Sequence, residues 1–164
     1  MLLSSSLYAK SNTEKLGDIL QIAIPSTAYA TTLYLDDKEG QMEFYKAYGI
    51  TLATTNVLKY GVREQRPDSD TKDSFPSGHT SVSFFGASFI HKRYGFEYAV
   101  IPYIGAIYTG YSRVHSKRHY THDVIAGAIV GIASSWYFAT SYKNLDIKPM
   151  VGTDYKGVEI SYRW

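Results

Sequence analysis

The sequence contains no cysteine, and this absence excludes disulfide bonds, thiolate zinc sites and cysteine nucleophiles. It also carries little excess charge, because the formal net charge over 164 residues is only +2. So small an excess does not suggest an overall polyanion-binding surface. With 13 glycines and 5 prolines, the composition does not resemble that of a collagen or a linker. We therefore expect a single globular domain, residues 1–164, whose function lies in local clusters of charge.

Long uninterrupted apolar runs are missing as well. The uncharged stretches 19–35, 98–112 and 124–142 are diluted by Thr, Ser, Tyr and Gly, and the mean hydropathy is −0.21. These stretches predict helices of a protein core and not membrane spans. Residues 1–6 lack the charged start and the apolar run of a secretory signal. Contact with a membrane surface through some of the 16 tyrosines stays an open alternative.

The apolar spacing predicts an all-α fold, a compact bundle of about five to six helices. The expected helices are 14–35 with a bend at Pro25, 39–62, 78–93, 97–111 and 121–142. The helical core thus covers about residues 14–142. Beyond it, the strand-like runs 147–151 and 158–162 predict an accessory C-terminal β-hairpin within residues 146–164.

The last predicted helix carries small residues at every fourth position. Gly127, Gly131 and Ser135 fall on one face, along which another helix backbone can approach closely. This face predicts a tight helix pair inside the bundle.

Arginines are concentrated in two short windows that also hold Lys and His. Four of the six arginines lie there, and the first window runs from Lys59 to Pro67. Lys59, Arg63 and Arg66 are spaced i, i+4 and i+7, so at a helix end they are expected to share one face before Pro67 stops the helix. Taken alone, this pattern is also typical of a solvated basic stripe at a helix C-terminus.

A second pattern, Pro76, Ser77, Gly78 and His79, opens an apolar run. A turn at the start of a helix presents free N–H groups and the positive end of the helix dipole, which favours an anion. Gly78 allows close backbone approach, Ser77 adds a hydroxyl, and His79 is a candidate proton donor. An ordinary capped helix start is the alternative.

A third pattern runs from Ser112 to Asp123 and holds Arg113, Arg118 and three histidines. His119 and Asp123 are four residues apart around a helix start, with Thr121 as the expected N-cap. The carboxylate can then fix one tautomer of the His119 imidazole and leave the other nitrogen as a nucleophile or base. His115 and His122 suggest a metal site, but the surrounding cations repel a metal ion, so we expect none.

At these residues the chain resembles the superfamily of type 2 phosphatidic acid phosphatases (PAP2) and vanadium haloperoxidases, which includes the bacterial class A acid phosphatases. The family pattern is Lys, six residues, Arg-Pro; then Pro-Ser-Gly-His; then Ser-Arg, five residues, His, three residues, Asp. It is met from Lys59 to Asp123 without a substitution. Haloperoxidases are much longer chains, so the resemblance favours a phosphatase.

The resemblance implies a role for each matched residue. His119 resembles the family's nucleophile, Asp123 the residue that orients it, and His79 the general acid. The residues that resemble the family's phosphate ligands are Lys59, Arg66, Ser77, Gly78 and Arg113. No role is implied for Arg63, His115 or His122.

The expected function is hydrolysis of phosphomonoesters through a phosphohistidine, without a metal or cofactor and sensitive to vanadate. The substrate is expected to be a lipid phosphate, a diphosphate or a soluble ester, and no nucleic acid is expected as a partner. Vanadate-dependent halide oxidation and simple binding of phosphate or an anionic headgroup stay as alternatives. A periplasmic or membrane-associated location is implied by the resemblance alone.

Overall fold

The computed structural model describes residues 10–142, 145–151 and 156–162. Residues 1–6, in which the sequence shows no features of a secretory signal, therefore lie outside the described residues. Within the described ranges the chain forms five helices followed by two strands. The helices are α1 Asn12–Tyr34, α2 Lys38–Val62, α3 Gly78–Tyr94, α4 Phe96–His115 and α5 Thr121–Phe138. The predicted all-α bundle is confirmed, and its helix starts fall within two residues of the expected ones.

Two helix ends differ from the prediction. Helix α4 continues to His115, one turn beyond residue 111, which brings Arg113 onto a helix. Helix α5 stops at Phe138, four residues before residue 142. Ala139 after it is extended, with φ of −86° and ψ of 135°, and the backbone N–H of Thr140 donates to the Glu43 carboxylate at 3.1 Å and not to a carbonyl of α5.

Helix α3 lies at the centre of the bundle and contacts all four other helices. Its buried Phe85 and Phe89 pack edge to face against Phe44 of α2. Aromatic pairs in this arrangement add to the apolar burial that stabilises the fold. Because α3 is central, whatever lies at its N-terminus is surrounded by the other helices.

The small-residue face of α5 packs directly against α3, as predicted. A Cβ atom on Gly127 would lie 2.5 Å from the carbonyl oxygen of Ser77, and one on Gly131 would lie 2.2 Å from that of Ser81. Ser135 continues the face and donates its hydroxyl to the carbonyl of Phe85 at 2.9 Å. Backbone-to-backbone packing therefore fixes the start of α5 beside the start of α3.

The apolar stretches of α1, α4 and α5 are only partly in the core. On α4, Ile101 is 81% exposed, Ile104 63% and Ile107 61%, and Ile125 and Ile129 of α5 are similarly exposed. The buried faces of α4 and α5 carry mainly small residues, and their isoleucines lie on the exposed faces. The expectation that these stretches lie in the core is therefore wrong for the exposed faces. None of the helices in the described ranges has a stretch that is both long and apolar enough to span a bilayer.

Strands β1 Leu145–Val151 and β2 Lys156–Tyr162 pair in antiparallel register, with Leu145 opposite Tyr162. Residues 152–155, which would form the turn of the predicted hairpin, lie outside the described residues. The hairpin therefore stays a prediction and is not part of the fold class, which is all-helical.

Candidate active site

The first predicted cluster does not lie on one helix face. Helix α2 ends at Val62, and Arg63 adopts the left-handed conformation with φ of 53°, which turns the chain away from the helix axis. Arg66 therefore lies in the following loop, where its backbone N–H donates to Thr71. The prediction that Lys59, Arg63 and Arg66 share one helix face was wrong, because the helix ends at Val62 and does not continue to Pro67.

Lys59 points from the last turn of α2 under the loop that follows. Its ammonium donates to the carbonyl oxygens of Asp73 at 2.5 Å and Pro76 at 2.8 Å. Burial and the nearby Arg66 charge hold the pKa of Lys59 below its ordinary value. Lys59 thus braces the loop that leads into α3.

Arg66 is fixed by the same loop. Its Nε and Nη2 donate to the two carboxylate oxygens of Asp73 at 2.8 and 3.0 Å. Such a two-point contact holds the guanidinium plane in one orientation. A third guanidinium nitrogen, Nη1, is not used in this contact.

At the start of α3, Ser77 and Gly78 lie behind the site. Ser77 is fully buried; its hydroxyl accepts from Thr80 Oγ1 at 2.9 Å, and its backbone N–H donates to the carbonyl of Asp123. A Cβ on Gly78 would meet only a methyl group of Thr55 at 3.8 Å, so the protein leaves space beside this position. His79, the next residue, is partly exposed toward the cavity described below.

The third cluster joins α4 to α5. His119 Nδ1 lies 3.5 Å from Asp123 Oδ2, so the two side chains face each other at the predicted spacing, at a distance longer than a good hydrogen bond. The N-cap of α5 is Tyr120 and not Thr121, because Asp123 Oδ2 accepts from the Tyr120 backbone N–H at 2.9 Å. Asp123 therefore serves the helix start as well as the imidazole.

Ser74 lies between these groups and has no place among the predicted residues. Its fully buried hydroxyl donates to Asp123 Oδ2 at 2.5 Å and lies 3.4 Å from His119 Nδ1. The Nδ1 edge of His119 is thus turned toward Asp123 and Ser74. The opposite edge, which carries Nε2, is left for the cavity.

A cavity of about 230 Å³ lies where these segments meet. Four of the predicted residues line it: Arg66, His79, Arg113 and His119. The other predicted residues are not among its lining residues: Lys59, Ser77, Gly78 and Asp123. The expected convergence therefore holds for both histidines and two arginines, while the remaining residues support them from behind.

Helix α1 supplies a wall of the cavity that no motif indicated. Lys10, just before α1, and Glu14 and Asp18 on the helix line the cavity, as does Arg118 from the α4–α5 loop. Arg118 is held by Glu14 at 2.9 Å and by Asp68 at 2.8 Å. Glu14 and Asp18 are four residues apart and share one face of α1, but polar residues at a helix start are ordinary in solvent, so no sequence pattern singled them out.

Both cavity histidines are shifted toward the neutral form. Burial lowers the pKa of His79 to about 4, and the Arg113 charge acts in the same direction while Asp18 opposes it. Burial, Arg66 and Lys59 likewise hold the pKa of His119 well below its usual range, against the opposing charge of Asp123. At neutral pH an imidazole in such surroundings carries a free lone pair, as a nucleophile requires.

The sequence match now has a geometric counterpart, and a family model described as the PAP2 superfamily matches residues 42–146. The chain belongs to the PAP2 superfamily. The predicted family, and with it the prediction of a PAP2-type enzyme at the level of the family, is confirmed. The match begins after α1 and covers the residues from Lys59 to Asp123 that carry the motifs.

Relatives of this PAP2 chain include two bacterial proteins named as lipid A phosphatases. It is 28% identical to the lipid A 4′-phosphatase of Helicobacter pylori, over 92% of this chain and 85% of that protein. It is 40% identical to the lipid A 1-phosphatase of Porphyromonas gingivalis over 57% of this chain, which spans only 22% of that protein. The crystal structure of Aquifex aeolicus LpxE has the same fold, with a TM-score of 0.57 and 21% identity over 82% of this chain and 96% of that chain.

Three ligand-type side chains of the PAP2 chain meet outside the cavity. Glu64, His122 and Asp123 each offer an atom within 4.8 Å of the others. His122 Nε2 contacts the Glu64 carboxylate at 2.8 Å, which raises the pKa of this exposed histidine. An ion pair between Glu64 and His122 accounts for that contact. The exposed His115 stacks on Tyr111, away from the cavity.

Proposed function

We propose that this PAP2 protein is a single-domain, metal-independent phosphatase that hydrolyses phosphomonoesters through a phosphohistidine on His119. The observation that carries the proposal is that His79 and His119 border one 230 Å³ cavity together with Arg66 and Arg113. A phosphomonoester brings close to two negative charges, and its transition state spreads charge over three oxygens. Fixed cations beside two imidazoles are the groups that this reaction needs.

The two arginines are the proposed phosphoryl ligands. Arg66 is held by Asp73, and Arg113 is held by the Glu14 carbonyl at 2.8 Å and by Asp18 at 2.8 Å. Donors fixed before the substrate arrives need no reorganisation during the reaction, and losing one such donor costs about 3 kcal/mol of barrier. Lys59 and the Ser77–Gly78 turn contribute to the same proposed cradle by holding the loop and the start of α3 in place.

His119 is the proposed nucleophile. Its Nδ1 edge faces Asp123 and Ser74, so Nε2 attacks phosphorus and the bond from phosphorus to the leaving oxygen breaks. His79, neutral at rest, takes up a proton when the phosphate dianion binds beside it, because a nearby negative charge favours the imidazolium, and it gives that proton to the leaving oxygen. Neutral His79 then takes a proton from water, whose oxygen attacks the phosphohistidine and releases phosphate. Asp123 balances the positive charge that develops on the His119 ring.

A lipid phosphate is the proposed preferred substrate. A largely apolar groove of about 580 Å³ runs between α1 and α4, and its lining begins at Leu20 and Gly105. Leu20 follows Asp18 of the cavity by two residues, about 3 Å along the axis of α1, although the two side chains lie on different faces of the helix. The proposal places the hydrocarbon chain of the substrate in this groove, which begins at the same level of α1 as the cavity. The names of the two lipid A phosphatase relatives agree with this choice.

Phosphate release from a panel of substrates tests the function. The panel is a phosphatidate, an isoprenyl diphosphate, a sugar phosphate and a nucleotide, each with and without detergent, with EDTA and with vanadate. We expect release from the phosphatidate in detergent, unaffected by EDTA, blocked by vanadate and absent in His119→Ala. Activity that EDTA removes and a divalent ion restores would overturn the metal-free scheme.

Two further results of that assay would overturn the phosphatase itself. Phosphate that binds while no ester is cleaved would indicate a binding module. Bromination of a dye by peroxide in the presence of vanadate, without ester cleavage, would indicate a haloperoxidase.

A further inference from the structure

One carboxylate of α1 connects two groups of the proposed site. Asp18 Oδ1 lies 2.8 Å from Nη1 of Arg113 and 3.1 Å from Nε2 of His79, and Oδ2 lies 2.6 Å from the Lys10 ammonium. Asp18 belongs to a helix that precedes the matched residues 42–146, so none of the family motifs includes it. A single oxygen atom therefore ties the proposed general acid to a proposed phosphoryl ligand.

The neighbouring glycine explains how α1 comes so close. A Cβ on Gly17 would lie 2.0 Å from Ser112 Oγ and 2.7 Å from Arg113 Nη2. The missing side chain lets the α1 backbone touch the end of α4, where the Glu14 carbonyl accepts from Arg113 at 2.8 Å. Backbone packing therefore fixes the position of α1 beside the end of α4, from which the Asp18 side chain reaches Arg113 and His79.

The chemistry of the contact fixes the tautomer of His79. An ionised carboxylate can only accept a hydrogen bond, so Nε2 of His79 has to carry the hydrogen that faces Asp18. Burial raises the pKa of Asp18, but Lys10 and Arg113 outweigh burial and hold it below its ordinary value, so this carboxylate is ionised at neutral pH. Nδ1 of His79 is then the nitrogen that can exchange a proton.

We propose that Asp18 is a positioning residue. It accepts a hydrogen bond from Nε2–H of His79, so that Nδ1 is directed at the leaving oxygen, and its second contact keeps the ring at a fixed distance from the Arg113 guanidinium. The inference rests on the proposed function, because it assigns Asp18 to the proton transfer of that reaction. During the step, the Nδ1–H bond of protonated His79 breaks and the leaving oxygen gains the proton. The hydrogen bond from Nε2–H to Asp18 is kept throughout the step. Asp18 therefore pairs with the charged ring before the proton leaves and holds the orientation of the neutral ring afterwards.

The charged groups that face His79 are Asp18 and Lys10 from the α1 region and Arg113 from α4. Of these, only Asp18 favours the protonated ring, while Lys10 and Arg113 disfavour it. Asp18→Asn keeps the shape of the side chain and removes the charge. The protonated fraction of His79 should therefore fall, and the alkaline limb of the activity profile should move to lower pH.

The kinetic test compares leaving groups in Asp18→Asn and in the unmodified protein. We expect kcat/KM, which reports the steps up to release of the leaving group, to fall roughly tenfold or more with an alkyl phosphate, whose oxygen needs a proton, and less than about threefold with an aryl phosphate. In a His79→Ala background the same change should cost the alkyl phosphate no more than it costs the aryl phosphate in the unmodified protein, because only the contact with Arg113 is then left to lose. Asp70→Asn, which removes a carboxylate from the exposed loop beside the site, is the matched control. Equal losses on both substrates, with an unmoved pH profile, would overturn the proposal.

A second measurement separates this inference from the phosphatase proposal, because it needs no turnover. Nitrogen NMR of the protein labelled in its histidine rings reports which ring nitrogen of His79 is protonated, with His79→Ala used for assignment. We expect hydrogen on Nε2 at neutral pH and a mixture of tautomers in Asp18→Asn. Hydrogen on Nδ1 in the unmodified protein would overturn the role of Asp18 even if the enzyme turns over. The expected tautomer in a protein that cleaves no phosphomonoester would overturn the phosphatase proposal instead.

Discussion

The hydroxyl of Ser74 donates to Asp123 Oδ2 at 2.5 Å and comes from a loop 49 residues away in sequence. Asp123 lies 3.5 Å from His119, beyond good hydrogen-bond distance, so Ser74 helps to fix the carboxylate that faces the imidazole. A hydrogen bond to a charged group contributes about 1.5–3 kcal/mol. The orientation of His119 therefore depends on the loop before α3 as well as on its own helix start.

Ser74→Ala removes this hydrogen bond, and we expect kcat to fall roughly tenfold to a hundredfold while KM stays nearly unchanged, because the bond supports the His119 ring as its charge develops in the transition state. Steady-state kinetics with a phosphomonoester measure this. Ser69→Ala is the matched control, because Ser69 lies in the same loop and its exposed hydroxyl contacts only Thr71 at 3.0 Å among the described contacts. A full loss of turnover in Ser69→Ala, or none in Ser74→Ala, would contradict the assignment.

The roles of the two cavity histidines differ in their dependence on the leaving group. His119→Ala is expected to abolish turnover of every substrate, because the nucleophile is gone. His79→Ala should lose about 100-fold to 10,000-fold in kcat/KM with alkyl phosphates and be largely spared in kcat/KM with aryl phosphates, whose oxygen leaves without a proton. The measurement is kcat/KM over a series of leaving groups, because kcat also contains the attack of water on the phosphohistidine, which is the same for every substrate. A parallel loss for both variants across the series would remove His79 as the acid.

Local chemistry was predictable from the sequence, and contacts between distant helices were not. His119 and Asp123 share one helix start, and Gly127, Gly131 and Ser135 share one helix face, so their spacing alone placed them correctly. Arg63 was misplaced because the end of α2 is set by a left-handed residue and not by Pro67. Lys10, Glu14 and Asp18 were missed because they reach the site only through the packing of α1 on α4, which no local pattern encodes.

The depressed pKa of His79 predicts a loss of stability in acid. Its pKa is about 4 in the folded protein and near 6.5 in an unfolded chain, so the unfolded chain binds the extra proton first as the pH falls. The contribution of neutral His79 is fully present above pH 6.5 and is lost as the pH falls toward 4. His79→Gln should therefore show a smaller drop in Tm over this range than the unmodified protein. His115→Gln, which removes an exposed histidine, is the control. Equal slopes of Tm against pH in the unmodified protein and in His79→Gln would contradict the prediction.

The contact between α3 and α5 predicts opposite effects at two glycines. Gly131→Ala puts a methyl group 2.2 Å from the carbonyl oxygen of Ser81, so we expect a loss of about 1–3 kcal/mol in the free energy of unfolding. Gly49→Ala on the exposed face of α2 meets nothing within 4 Å and should gain about 0.5–1 kcal/mol from better helix propensity. Urea unfolding of both variants measures this. A Gly131→Ala protein as stable as the unmodified one would mean that the two backbones are not in contact.

The phosphohistidine is the central claim and can be trapped directly. The protein is mixed with a phosphomonoester, quenched in alkali within one turnover, digested and analysed by mass spectrometry. We expect one phosphoryl group on His119. It should be absent from His119→Ala and should accumulate in His79→Ala with an aryl phosphate, because His79 is the group proposed to activate water. Turnover without any phosphorylated residue, or a phosphoryl group on a residue other than His119, would contradict the account.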